Sequence, residues 1–138
     1  MTPKEIFLSH SSEDHTFATA VADTIRQHGI PVWYAPTNMI GAQEWQDEIG
    51  LALRRCDWFA VILSPNSVES MWVKRELQYA LHQRRFEKRI VPILYRSCDL
   101  EILSWTLPSL HTIDFTLSPE DGWASLFRIW GVGYRGRP

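Results

Sequence analysis

Apolar residues in this chain fall into short dense runs, separated by stretches in which they recur every three or four positions. The first run, Ile6-Phe7-Leu8, predicts a short strand. Ser11-Ser12-Glu13-Asp14 follows and reads as a helix-opening box, with Ser11 as cap and Asp14 three residues on. Phe17, Val21 and Ile25 then recur every four residues, and Gly29 supplies the stop. Val32-Trp33-Tyr34 predicts a second strand, and Ala35 to Gln43, with Pro36 and Gly41, a loop. Trp45, Ile49, Ala52 and Leu53 mark a second helix. Trp58 to Leu63 shows no polar alternation, the pattern of a strand buried on both faces, and Ser64-Pro65-Asn66 breaks it. A third helix is expected from about Ser67 to Phe86, with Val73, Leu77, Ala80 and Leu81 as its apolar stripe. Ile90 to Tyr95 predicts a fourth strand in which Pro92 is a conflict, because proline removes a ladder donor and marks an edge or a bulge. Thr112 to Phe115 and Pro119 to Trp130 complete the series as a fifth strand and a last helix.

Strand–helix alternation over the whole length implies an α/β fold, a parallel sheet covered on both faces by helices. In such sheets ligands bind at the carboxyl ends of strands, where strand order reverses. That rule selects the loops after Leu8, Tyr34 and Leu63. One domain is expected over residues 1–130. Residues 131–138, rich in glycine and arginine, read as a frayed end or the start of a linker.

Composition changes this picture little. A length of 138 residues with 45% apolar and 22% charged residues suits one globular domain with a real core. A net charge of −2 and a pI near 6.2 supply no basic field for nucleic acid or anionic lipid. Seven tryptophans are too many to bury fully, so some should line a cleft or a partner contact. Cys56 and Cys98 follow no metal-ligand spacing and are too few for a disulfide framework. With no signal-peptide pattern and no apolar run long enough to span a bilayer, the expected setting is cytosolic and reducing.

Several chemistries are excluded by their missing motifs. There is no P-loop, no dinucleotide-binding Gly-x-Gly-x-x-Gly after the first strand, and no Gly-x-Ser-x-Gly elbow. A magnesium-binding receiver domain wants acidic residues where this chain has Ser9-His10-Ser11. The five histidines form no i, i+4 pair, and no metal site is expected.

What remains is Glu76, four residues after Trp72 and therefore on the same side of the third helix. At 100° per residue Glu76 lies roughly 60° from the apolar stripe, on the flank shared by Trp72, Tyr79 and Gln83. Periodicity alone favours an ordinary boundary glutamate. A carboxylate beside a flat aromatic is also of a kind to hold a planar cation and stabilise positive charge near it.

The order of motifs resembles the Toll/interleukin-1 receptor (TIR) domain family, particularly its bacterial members. The resemblance is carried by Ile6 to Asp14, Val32-Trp33-Tyr34-Ala35-Pro36, Gly41 to Ile49, Val61 to Ser67, Trp72 to Leu77 and Ile90 to Leu94, and runs from about residue 4 to 130. It implies a flavodoxin-like three-layer sandwich with a five-stranded parallel sheet, and it makes the fourth-strand proline unexceptional. Many bacterial and plant members cleave NAD at the nicotinamide glycosidic bond with a glutamate on the third helix, the position of Glu76. An aromatic one turn earlier matches Trp72. Residues after the first strand contribute to the pocket, which points to Ser9, His10 and Ser11. The loop Ala35 to Gln43 matches a segment that mediates TIR–TIR packing and gates the site. One departure is Ala35, where several members carry an acidic residue, so a substrate contact or the rate is expected to differ.

The chemistry is coherent in its own right. Glycosidases use two carboxylates because the leaving oxygen must be protonated. Nicotinamide in NAD is already cationic and leaves neutral, so one carboxylate that stabilises an oxocarbenium-like ribose can suffice. On this reading Trp72 stacks on the nicotinamide and Tyr34 or Trp45 walls the pocket, simple core packing being the alternative for those two. NAD is then a substrate, with no cofactor, and the TIR resemblance implies that activity depends on self-association. A non-catalytic interaction module and a nucleoside deoxyribosyltransferase remain as alternatives.

Overall fold

In the computed structural model, residues 2–35 and 42–136 are described, with side chains in the second helix from residue 46 onward. Five parallel strands, β1 (Ile6–Ser9), β2 (Val32–Trp33), β3 (Trp58–Leu63), β4 (Ile90–Leu94) and β5 (Ile113–Asp114), form one sheet in the order β2-β1-β3-β4-β5. The helices are α1 (His15–Gln27), α2 (Ala42–Arg55), α3 (Met71–Leu81) and α4 (Pro119–Ile129). This is the doubly wound flavodoxin-like arrangement, with its reversal between β1 and β3.

The two-residue period of the strands sorts the core into two layers. Ile6 and Leu8 of β1, with Ala60 and Ile62 of β3, face α1 and α4, where Val21, Ile25, Leu126 and Phe127 are buried. Phe7, Phe59, Val61 and Leu63 face α2 and α3, where Ala52, Val73 and Leu77 are buried. All six residues of β3 are buried, as its unbroken apolar run predicts.

Several expectations need correction. Ser11 does cap, accepting from the Glu13 backbone N–H at 3.3 Å, but what it opens is a 3-10 turn over Ser12–Asp14. The Asp14 carboxylate accepts instead from the Ser64 hydroxyl at 2.5 Å and the Asn66 amide at 3.0 Å. Asp14 is buried, so those donors replace the water it loses. The long third helix is three pieces, because Ser70 is extended and caps α3 by accepting from the Val73 N–H at 3.3 Å. A second break falls at His82 and Gln83, ahead of a 3-10 turn over Arg84–Phe86.

Pro92 sits in an interior strand, paired with Val61. The Leu94 carbonyl accepts from Phe115 N–H at 2.9 Å, so Leu94, and Pro92 two residues before it, turn their ladder groups toward β5. Pairing with β5 begins only at Ile93, so the nitrogen of Pro92 faces no ladder partner and costs no bond. The segment after α4, expected to fray, lies against the domain. The Tyr134 ring stacks on Phe127 at 5.8 Å, and Arg135 N–H donates to His28 Nε2 at 3.0 Å. Among the described residues no helix is long and apolar enough to cross a membrane.

Candidate active site

At the carboxyl ends of β1 and β2, a cavity of about 100 Å³ opens between α2 and α3. Its walls are Phe7 and Leu8 of β1, Trp33 of β2 and Ile49 of α2, with Trp72 and Glu76 of α3 opposite. The extended Ser70 starts α3 beside this cavity, so its second turn carries Glu76 over the end of β1.

Glu76 is only 8% exposed. The Ser9 hydroxyl donates to its Oε1 at 2.7 Å, the one hydrogen bond to this carboxylate given among the described residues. Burial pushes the carboxyl up to about 7, and the bond from Ser9 opposes that rise by favouring the charged form. Among the described residues no buried cation lies beside it, so nothing of opposite charge offsets the effect of burial.

Trp72 is 38% exposed and forms the rim, with the Arg75 guanidinium 5.6 Å from its ring centroid. Inside, Trp33 stacks on Phe7 at 5.1 Å and 28°. Flat apolar side chains thus form much of the wall, and Glu76, His10, Ser12 and Ser70 supply its polar groups. A cavity of this shape has room for a planar ring beside the Glu76 carboxylate.

Of the residues singled out in the sequence, Ser9, His10, Trp72 and Glu76 come together here. Ser11 does not line the cavity; its hydroxyl is taken up in capping, and Ser12 lines the cavity in its place. Tyr34 faces the opposite layer, where its hydroxyl donates to Thr19 Oγ1 at 3.3 Å and its ring lies under Arg26. Its neighbour Trp33 forms the wall instead. Strand alternation was the available signal: Val32 packs in the α1 layer, so Trp33 must point into the α2 and α3 layer and Tyr34 back again. The side chain of Trp45 and residues 36–41 of the proposed packing loop lie outside the described residues.

Larger hollows exist elsewhere. One of about 320 Å³ lies near the start of β4, and a groove of about 860 Å³ runs between α3 and residues 101–106. Neither is lined by a buried charged group, so neither offers comparable chemistry.

Residues 6–127 match the family model of the TIR domain. The chain is 27% identical over 104 residues to the 2′ cyclic ADP-D-ribose synthase AbTIR of Acinetobacter baumannii, an alignment covering 74% of this chain and 39% of that protein. It is 30% identical over 95 residues to the NAD(+) hydrolase TcpC of Escherichia coli, covering 67% and 31%. It thus spans about a third to two fifths of the length of the curated relatives it matches. Among solved structures, the TIR domain of the Toll-related receptor TRR-2 of Hydra magnipapillata superposes with a TM-score of 0.70 at 21% identity, covering 89% of this chain and 94% of that one. The TIR domains of the activated Roq1 resistosome give 0.71 at 18% identity, covering 91% and 99%. Both share the fold.

Proposed function

This chain belongs to the TIR domain family, and from that premise and the geometry of Glu76 we propose that it is an NAD glycohydrolase, releasing nicotinamide and leaving ADP-ribose or a cyclised form. The observation that carries the reading is the buried Glu76 carboxylate, bonded to Ser9 at 2.7 Å on the wall of a flat apolar cavity. The names of the relatives AbTIR and TcpC, a cyclic ADP-ribose synthase and an NAD(+) hydrolase, support the same reaction.

The nicotinamide ring enters between Trp33 and Trp72. Its positive charge favours the ionised form of Glu76, which drops below its ligand-free value. As the bond from ribose C1′ to the nicotinamide nitrogen breaks, both bonding electrons leave with the ring, which departs neutral. The positive charge moves to C1′ and the ring oxygen of the ribose, where the carboxylate stabilises it. Attack by water gives ADP-ribose, and attack by a hydroxyl of the same molecule gives a cyclic product; in either case one proton is released. Ser9 fixes the orientation of the carboxylate throughout. No further cofactor is required.

A cavity of about 100 Å³ holds only the nicotinamide end of so large a substrate. The remainder lies over the rim, where the Ala35–Gln43 loop and a second copy of the domain would cover it. Activity then depends on homotypic self-association through that loop. A cytoplasmic role in bacterial immune signalling against phage, by NAD depletion or by a nucleotide product, fits such a device. The purely scaffolding alternative draws on the exposed Trp105, 83% accessible, and Ile102 beside the groove along α3.

The test is NAD consumption with product separation, run at several protein concentrations. The parent should convert NAD with a rate rising more steeply than linearly in protein. Glu76→Ala should lose at least about a hundredfold, the scale of removing the charge that faces the transition state. Equal rates for parent and variant would sink the assignment, and intact NAD at every concentration would favour the scaffolding reading.

A further inference from the structure

The turn from β1 into α1 brings together two histidines that the sequence separates by five positions. His10 Nε2 and His15 Nδ1 face each other at 3.3 Å. At zinc–nitrogen bonds of about 2.0–2.1 Å, tetrahedral geometry sets two ligand nitrogens about 3.3–3.4 Å apart. The pair therefore already stands at the separation a shared ion demands.

The surroundings suit a cation. The two facing nitrogens share one hydrogen bond, one ring donating its N–H and the other accepting, and a bound ion would take the place of that proton. The Asp14 carboxylate lies close enough to act on His10 electrostatically and offsets part of a dication's charge. Both imidazoles are held by packing, with ring centroids 5.8 Å and 5.7 Å from Tyr34.

We propose that His10 and His15 form a site for a divalent transition-metal ion of the zinc class, bound by His10 Nε2 and His15 Nδ1 with water in the remaining positions. Two protein nitrogens make an exchangeable, regulatory site, not a structural one. Among the described residues no set of three or more His, Cys, Asp or Glu side chains is placed to hold a metal, in keeping with that weaker class.

The site has a consequence for the cavity, which His10 also lines. A dication there opposes entry of a cationic nicotinamide and raises the energy of positive charge developing on the ribose. Bound metal should inhibit, a consequence that rests on the glycohydrolase reading, whereas binding itself does not.

Zinc chloride titrated into the purified chain by calorimetry at pH 7.5 should show one equivalent bound. His15→Ala, with His15→Gln as a second variant should the first not fold, should weaken binding about tenfold or more. Zinc should also slow NAD consumption by the parent and be reversed by chelator. The His15 variants, whose metal-free rates should match the parent's, should resist it. Zinc binding of equal strength in parent and His15 variants would overturn the proposal, as would its loss in Cys98→Ser with His15 intact. If no preparation consumes NAD yet His15-dependent binding persists, the metal site stands and the glycohydrolase reading falls.

Discussion

Replacing Glu76 by Gln should stabilise the fold above neutral pH while leaving it nearly unchanged in acid. The carboxyl is raised from 4.5 to about 7 by burial, against a favourable hydrogen bond from Ser9. Between those values the native carboxyl keeps its proton while the unfolded chain releases it, so stability falls as pH rises. The contribution of the neutral carboxyl is fully present below about 4.5 and is lost as pH passes 7. At 1.36 kcal/mol per unit, the total is about 3 kcal/mol. Glutamine has nearly the same shape, never ionises, and its amide carbonyl still accepts from Ser9. Urea unfolding followed by tryptophan fluorescence at pH 4.5, 6, 7 and 8 measures the difference. The expected gain is small at pH 4.5 and about 3 kcal/mol at pH 8, equivalent to roughly 10 °C in Tm for a domain of this size. The slope with denaturant should stay unchanged, since no surface is gained or lost. A gain independent of pH, or a loss of stability at pH 8, would refute the claim that the charged carboxylate is paid for by the rest of the fold. NAD consumption should vanish in the same variant, because stability is withheld at the position where charge is needed.

Ser9→Ala removes a charge-assisted bond worth about 1.5–3 kcal/mol, which should move the Glu76 carboxyl upward by about one to two units. Since the reaction needs the carboxylate, the acidic limb of the rate profile should shift from near pH 7 to about pH 8 or above, and an unmoved limb would exclude Ser9 from setting the charge. Gly122→Ala should destabilise by about 1–3 kcal/mol, because an added Cβ would lie 2.7 Å from two carbons of the Phe115 ring, itself wedged edge-on against Trp123 at 4.9 Å. The gain in helix propensity, about 1 kcal/mol, is smaller than that strain. A more stable Gly122→Ala in thermal unfolding would show that the ring yields freely.

Local patterns along the chain suffice for the succession of elements. The unbroken run Trp58–Leu63, the four-residue recurrence of Phe17, Val21 and Ile25, and the turn residues between them are local signals, and local signals survive without knowledge of what packs where. They sufficed for a parallel sheet with helices on both faces and for Glu76 at the boundary of its helix. They did not suffice for the long third helix, because Ser70 is competent both inside a helix and as its cap. Its extended backbone is selected where α3 must start beside the end of β1. Alternation along β2 puts Trp33 and Tyr34 on opposite layers, but which of them meets the cavity depends on the register of β2 against β1. The Ser9–Glu76 bond joins residues 67 apart, and Asp14 leaves its own turn for partners 50 and 52 positions away. The His10–His15 pair is nearer in sequence, yet only the strand-to-helix turn aims the two nitrogens at each other. Ionisation is the last of these tertiary properties. The sequence names a glutamate, but its affinity for a proton is set by the water that α3, β1 and the apolar walls exclude.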